Sequence, residues 1–285
     1  MSANTKGRIQ LIISRALAYF ALIFFSVLCL FFFYMLIVNA SRSNGELQAG
    51  FTLIPSSHFF ENLNNAWNDA SINIPRGMLN SLLVSGSCAV LTTYFSCLTA
   101  YGLHAYHFKG RDAIFTFILM TMMIPPQVAT VGFIQLVYKV KLTNNYLPLI
   151  LPSIAAPMVF FYMKQYMEAN LPMEIVESAR VDGSSEFNTF NKIVLPVMKP
   201  ALAVQAIFSF VTAWNNYFQP ALLLDKAEMK TVPIMIAQLR SADYSKFDMG
   251  KVYMFILLAI LPVMVVYFIL SKSIIKGVTE GSVKG

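Results

Sequence analysis

Six strongly apolar runs alternate with polar segments along this chain. The first runs from Ala16 to Val38, behind Lys6, Arg8 and Arg15. Its 23 residues exceed the about 7–15 of a secretory signal core and match the ~20 that cross a bilayer. It therefore reads as an uncleaved span, despite the cleavage-like Val38-Asn39-Ala40. Further spans are predicted over 79–103, 113–138, 146–167, 201–224 and 252–271. In the third, Pro125-Pro126-Gln127 predicts a kink or break. Pro148, Pro152 and Pro157 predict irregular, tightly packed backbone in the fourth. Residues 41–76 are polar except for Phe59, Phe60, Leu63 and Trp67, whose helical spacing suggests an interfacial or packing helix. Residues 225–250 read as a solvated loop.

One polar segment, Leu171–Pro200, lies between two apolar runs and carries the local chemistry of two short helices around a tight corner. Asn170, Pro172 and Glu174 are start signals, and Asp182-Gly183 is a stop because glycine accepts the left-handed conformation that closes a helix. Ser184 or Ser185 caps the second helix, with Glu186 in its first turn. Phe187, Phe190 and Val194 are expected to make one apolar face, with Pro196 and Pro200 ending the helix and opening the next span. Such an element, held between two membrane helices, suits docking into a groove on another protein.

Glu177-Ser178-Ala179, three residues, Gly183, nine residues, then Ile193, Leu195 and Pro196 resemble the EAA loop of ABC importer permeases. Ser178 replaces the middle alanine, a small-for-small change. Leu79-Asn80-Ser81, Ala100-Tyr101, Met123-Ile124-Pro125 and the tail from Gly277 to Gly285 extend the resemblance to the maltose-permease-like carbohydrate subfamily. The resemblance implies an all-α polytopic membrane protein of six transmembrane helices, with a type I importer fold and a cytoplasmic coupling helix. It implies ATPase docking by Glu177, Ser178, Ala179, Asp182, Gly183, Ile193, Leu195 and Pro196, and a tail (Gly281, Val283, Lys284) approaching the same ATPases. The expected partners are a second, different permease subunit, two ABC ATPases carrying ATP and magnesium, and an extracytoplasmic solute-binding protein, which residues 225–250 would help to receive. No cofactor is expected in this chain itself.

Composition supports a membrane protein: 57% of residues are hydrophobic and 12% charged, and mean hydropathy is +0.61. The net charge of +7 comes from basic residues scattered at span ends rather than along a stripe, which fits topogenic flanking charge and not nucleic acid. With both termini inside, twelve of the 21 basic residues fall toward the inner side, among them Lys109, Arg111, Arg180 and Lys192. This places residues 1–15, 171–200 and 272–285 in the cytoplasm of a bacterial-type inner membrane, around a permease domain of residues 16–271. Cys29, Cys88 and Cys97 all lie in apolar runs and form no disulfide framework.

The chain lacks a phosphate-binding loop, a metalloprotease motif and a nucleophile elbow, so it is not expected to be an enzyme. His104 and His107 read as interfacial residues rather than metal ligands. The spans contain almost no ionisable groups, which disfavours an ion-coupled carrier. Their polar residues are neutral and densest at Trp214-Asn215-Asn216-Tyr217-Phe218-Gln219. Aromatics beside amides suit a hydroxyl-rich solute, so this hexad, with Gln127, is the expected pathway lining; helix–helix hydrogen bonding is the competing role. The sequence thus reads as the permease of an ATP-driven, binding-protein-dependent sugar or oligosaccharide importer. The alternatives are the same machine with a polyol, glycerophosphodiester or peptide cargo, or a channel or structural subunit without an energised cycle.

Overall fold

The computed structural model describes the backbone of residues 3–69, 71–241 and 248–282. Among these residues the elements are helices and short helical turns. In order they are α1 (Ala3–Ala40), α2 (Asn44–Gln48), α3 (Phe59–Trp67), α4 (Ile74–Ala105), α5 (Arg111–Thr121), α6 (Pro126–Lys139), α7 (Leu147–Ile150) and α8 (Pro157–Asn170). They continue with α9 (Met173–Val181), α10 (Glu186–Thr189), α11 (Leu195–Val197), α12 (Lys199–Trp214), α13 (Phe218–Leu223), α14 (Val232–Ser241) and α15 (Met249–Ser282). Four stretches are long and apolar enough to cross a membrane unaided: Leu11–Ala40, Ile74–Ala105, Leu147–Asn170 and Met249–Ser271. Two bent pairs, α5 with α6 and Glu186–Val197 with α12, raise the number to six if each is one span.

The described residues up to Asp69, with Asp248–Leu258, form one compact unit. The apolar α1 is exposed over most of its length and becomes buried only from Val38 to Arg42. There the chain turns, and Ser43 and Glu46 form a reciprocal cap on α2. The buried Arg42 guanidinium donates to the carbonyls of Glu46 and Gly50. Asn62 on α3 donates to Ala40 and Arg42 carbonyls at 2.9 Å each. The helix expected in this segment is therefore present, but its buried residues are Asn62 and Ala66, while Phe60 and Trp67 of the expected apolar patch are exposed.

The second unit, Ser71–Ser241 with residues from Ala259 onward, is built along α4. Its larger core joins Cys97, Tyr101, Phe160, Met163, Phe190 and Met198, and its smaller core joins Val84, Cys88, Val137, Leu149 and Leu223. The proline-rich stretch from Leu147 to Pro157 is irregular, as expected, because Pro152 and Pro157 donate no backbone hydrogen bond. Side chains of α4 fill the deficit: Thr92 donates to the Ser153 carbonyl at 2.9 Å and Cys88 to the Leu149 carbonyl at 3.4 Å. The third predicted span is broken at Pro125-Pro126, where α5 and α6 diverge by 93°.

Three expectations need correction. The fifth span is not continuous over 201–224: α12 stops at Trp214, residues 215–217 leave the helix, and α13 follows. Asn215 and Asn216 are poor helix formers, and Pro220 donates no hydrogen bond to the Asn216 carbonyl four residues back. Pro172, not Asn170, is the residue preceding α9, while the Asn170 amide donates back to the Tyr166 carbonyl. Finally, residues 225–250 are not simply a solvated loop, since α14 lies within them and Thr231, Val232, Ile234 and Met235 are buried.

Candidate functional site

The Leu171–Pro200 segment forms the expected corner. Helix α9 closes with the left-handed Gly183 at φ +76°, whose N–H donates to the Arg180 carbonyl at 3.1 Å. The Ser184 N–H donates to the Ala179 carbonyl at 2.9 Å. This pair of reversed bonds is a Schellman closure, and it defines the corner's geometry. Ser185 then caps α10, its hydroxyl accepting from the Asn188 N–H.

Beyond α10 the backbone widens into a π turn over Phe190–Val194, with the Leu195 N–H reaching the Phe190 carbonyl. Pro196 would clash with a carbonyl four residues back in a regular α-helix, and the wider turn relieves that conflict. A bend of 82° at Met198 then leads into α12.

The two sides of this elbow differ. Val176, Ala179, Thr189, Phe190 and Val194 are buried against the core. Glu174, Glu177, Ser178, Val181 and Asp182 line an open groove of about 410 Å³ on the outer side, where Val181 is 88% exposed. Ile193 and Leu195 are half-buried, and Pro196 is exposed. Phe187 does not join the apolar face as expected: it is 71% exposed, and burial along this stretch begins only at Thr189.

A polar cluster holds the corner from within. Arg180 Nε donates to Glu186 Oε1 at 2.7 Å, bridging Gly183. Tyr101 Oη on α4 donates to Glu186 Oε2 at 2.9 Å, and the Arg180 guanidinium lies 5.1 Å from the Tyr106 ring centroid. The Arg180 hydrogen bond, assisted by tyrosine hydroxyls, holds the Glu186 carboxyl below its ordinary range. No local spacing marks Arg180, Glu186, Tyr101 and Tyr106 as a group. The available signal was two opposite charges flanking the corner glycine in a charge-poor chain.

The chain has counterparts among known proteins. Residues 93–279 match the family model described as binding-protein-dependent transport system inner membrane component. The chain belongs to that family. The permease is 36% identical over 266 residues to the arabinooligosaccharides transport system permease protein AraQ of Bacillus subtilis (strain 168), covering 91% of this chain and 92% of the relative. It is 29% identical to the lactose transport system permease protein LacG of Rhizobium radiobacter, covering 90% and 92%. It is 30% identical to the sn-glycerol-3-phosphate transport system permease protein UgpE of Yersinia pestis, covering 89% and 92%. Its fold matches a chain of a bacterial ABC transporter involved in import of the acidic polysaccharide alginate, with TM-score 0.79, 21% identity and coverage of 95% and 98%.

The expected pathway residues differ in exposure and in partners. Trp214 is turned inward and stacked on Phe210. Asn216 donates to Gln219 Oε1 at 3.1 Å. Asn215, Tyr217 and Phe218 are exposed around the helix break, and Gln127 is exposed in the first turn of α6. In the tail, Gly281 lies in the last turn of α15, whereas Val283 and Lys284 lie outside the described residues.

Proposed function

We propose that this permease translocates a sugar or oligosaccharide by alternating access, driven by a pair of cytoplasmic ATPases that dock on the elbow. The observation carrying this reading is the Schellman corner at Gly183, rigid on its inner face and presenting Glu177, Ser178 and Asp182 on an open groove. A docked partner can shift a membrane equilibrium only by binding its states with different affinities, and a stiff elbow gives it a grip. ATP and magnesium reside on those partners. A second permease subunit and an extracytoplasmic binding protein complete the machine, with the elbow and both termini in the cytoplasm.

A sugar cargo is supported by the names of the arabinooligosaccharide and lactose relatives. Asn215, Tyr217 and Phe218, exposed at the α12–α13 break, are the groups that would contact it, with Gln127 a second candidate. The glycerol phosphate relative supports a second reading, in which the cargo is a phosphorylated polyol. The deciding experiment reconstitutes the complex with its ATPases and binding protein and measures uptake of labelled oligosaccharides and glycerol phosphate. ATP-dependent oligosaccharide uptake is expected. Uptake of glycerol phosphate alone would shift the assignment to the second reading, and uptake independent of ATP would end both. Impermeant thiol labelling of Val181→Cys in right-side-out membranes should fail, because that position belongs to the cytoplasmic elbow.

A further inference from the structure

Two hydrogen-bonded clasps hold α4 near its opposite ends. At the elbow end, Tyr101 Oη donates to Glu186 at 2.9 Å and Tyr94 Oη to Asn191 Oδ1 at 3.2 Å, and both rings pack on Phe190 with centroids 5.5 and 5.6 Å away. At the far end, the buried Asn80 amide donates to the Glu228 and Lys230 carbonyls at 2.9 and 3.0 Å. Beside it, Ser81 Oγ accepts from the Val232 N–H at 2.9 Å.

Between these clasps α4 is uninterrupted. From Asn80 to Tyr101 it rises about 32 Å at 1.5 Å per residue, close to the ~30 Å of a bilayer's hydrocarbon core. Its neighbours are not continuous in this way: α5 and α6 diverge at their prolines, the Leu147–Asn170 stretch is irregular at its centre, and α12 stops at Trp214.

We propose that α4 is a push-rod, carrying displacement of the elbow across the membrane to the Glu228–Val232 segment. This rests on the reading that the ATPases act at the elbow. Glu186 accepts from Arg180 and Tyr101 together, so rotating the elbow while α4 stayed still would break the charge-assisted hydrogen bond from Tyr101 and pull Phe190 away from two tyrosine rings. Moving both as one body breaks neither. At the far end Asn80 and Ser81 grip backbone rather than side chains, so the 228–232 chain must follow the rod.

The test uses the whole complex in nanodiscs, with Cys29 replaced by serine and Cys88 and Cys97 buried. Spin labels go at Leu79→Cys, beside the far clasp, and at the exposed Asn188→Cys on the elbow. Trapping the ATP state with vanadate should leave the Leu79–Asn188 distance unchanged with Tyr101 present and shift it in the Tyr101→Phe variant. The same variant should keep basal ATP hydrolysis but lose about tenfold of the stimulation by loaded binding protein, the size expected for a hydrogen bond to a charged group. Asn80→Ala should lose stimulation while keeping the distance fixed. A distance that changes with Tyr101 present, or full stimulation in Tyr101→Phe, would overturn the rod in a complex that still transports. A complex with no ATP-dependent uptake would overturn the functional reading and the rod together.

Discussion

Trp214 stacks on Phe210 with ring centroids 5.6 Å apart and planes inclined by 19°, and the indole is 4% exposed. A side chain so enclosed within its own chain fills space at the end of α12. Trp214→Ala should therefore leave a cavity costing on the order of 3 kcal/mol, seen as a lower unfolding midpoint of the purified complex. Trp214→Phe, which keeps a ring against Phe210, should recover most of the loss. If Trp214→Ala instead abolishes uptake at unchanged stability, the indole belongs to the solute path.

The contrast between Trp214 and Gly183 shows what the sequence could disclose. The corner at Gly183 depends on neighbouring residues and is legible from spacing, which narrows the following cap to Ser184 or Ser185. The proline breaks were legible for the same reason. The end of α12 was not, because hydrophobicity averaged over 201–224 conceals what Asn215, Asn216 and Pro220 do to local hydrogen bonding. The Tyr101–Glu186 contact joins residues 85 apart and depends on tertiary packing that no local pattern encodes. The exposure of Phe187 is not legible either, because periodicity gives the angle of a face but not where its burial begins.

Gly183 is the position where a side chain conflicts with the backbone. At φ +76° a Cβ is disfavoured by about 1–2 kcal/mol, and a β-branched residue by more. Nothing lies within 4 Å of the position a Cβ would take, so the penalty is conformational rather than steric against neighbours. Gly183→Val should reach the membrane at normal levels but uncouple ATP hydrolysis from uptake. Gly183→Asn, which tolerates the left-handed region, should retain most activity. Equal transport by the valine and asparagine variants would show that the corner is not needed in this shape.

Glu186 provides a pH-dependent signature. Its carboxyl titrates below the ordinary 4.5, chiefly because Arg180 donates to it. A lowered carboxyl contributes stability that is present above the ordinary value and is lost as pH falls through the folded value. The pair is partly open to solvent, so screening limits the contribution to at most about 1 kcal/mol. The gap in unfolding midpoint between the parent and Glu186→Gln should be constant from neutral pH to near 5 and close as the solution is acidified below 4.5. A gap that widens on acidification would mean that the carboxylate is not held by Arg180.

Gly250, at the start of α15, packs where no side chain fits. A Cβ there would lie 2.5 Å from the Arg42 carbonyl oxygen and 2.7 Å from Asn62 Nδ2. Neither atom yields easily, since the Asn62 amide is already committed to the Ala40 and Arg42 carbonyls in a buried setting. Gly250→Ala must therefore displace α15 or break that amide's bonds, and a buried donor left unpaired costs about 1–3 kcal/mol. Gly45→Ala, with nothing within 4 Å, is the matched control. Limited proteolysis of the 41–69 segment should become faster in Gly250→Ala and stay unchanged in Gly45→Ala. Equal cleavage rates in the two variants would show that the contact between Gly250 and Arg42 is not what holds this segment closed.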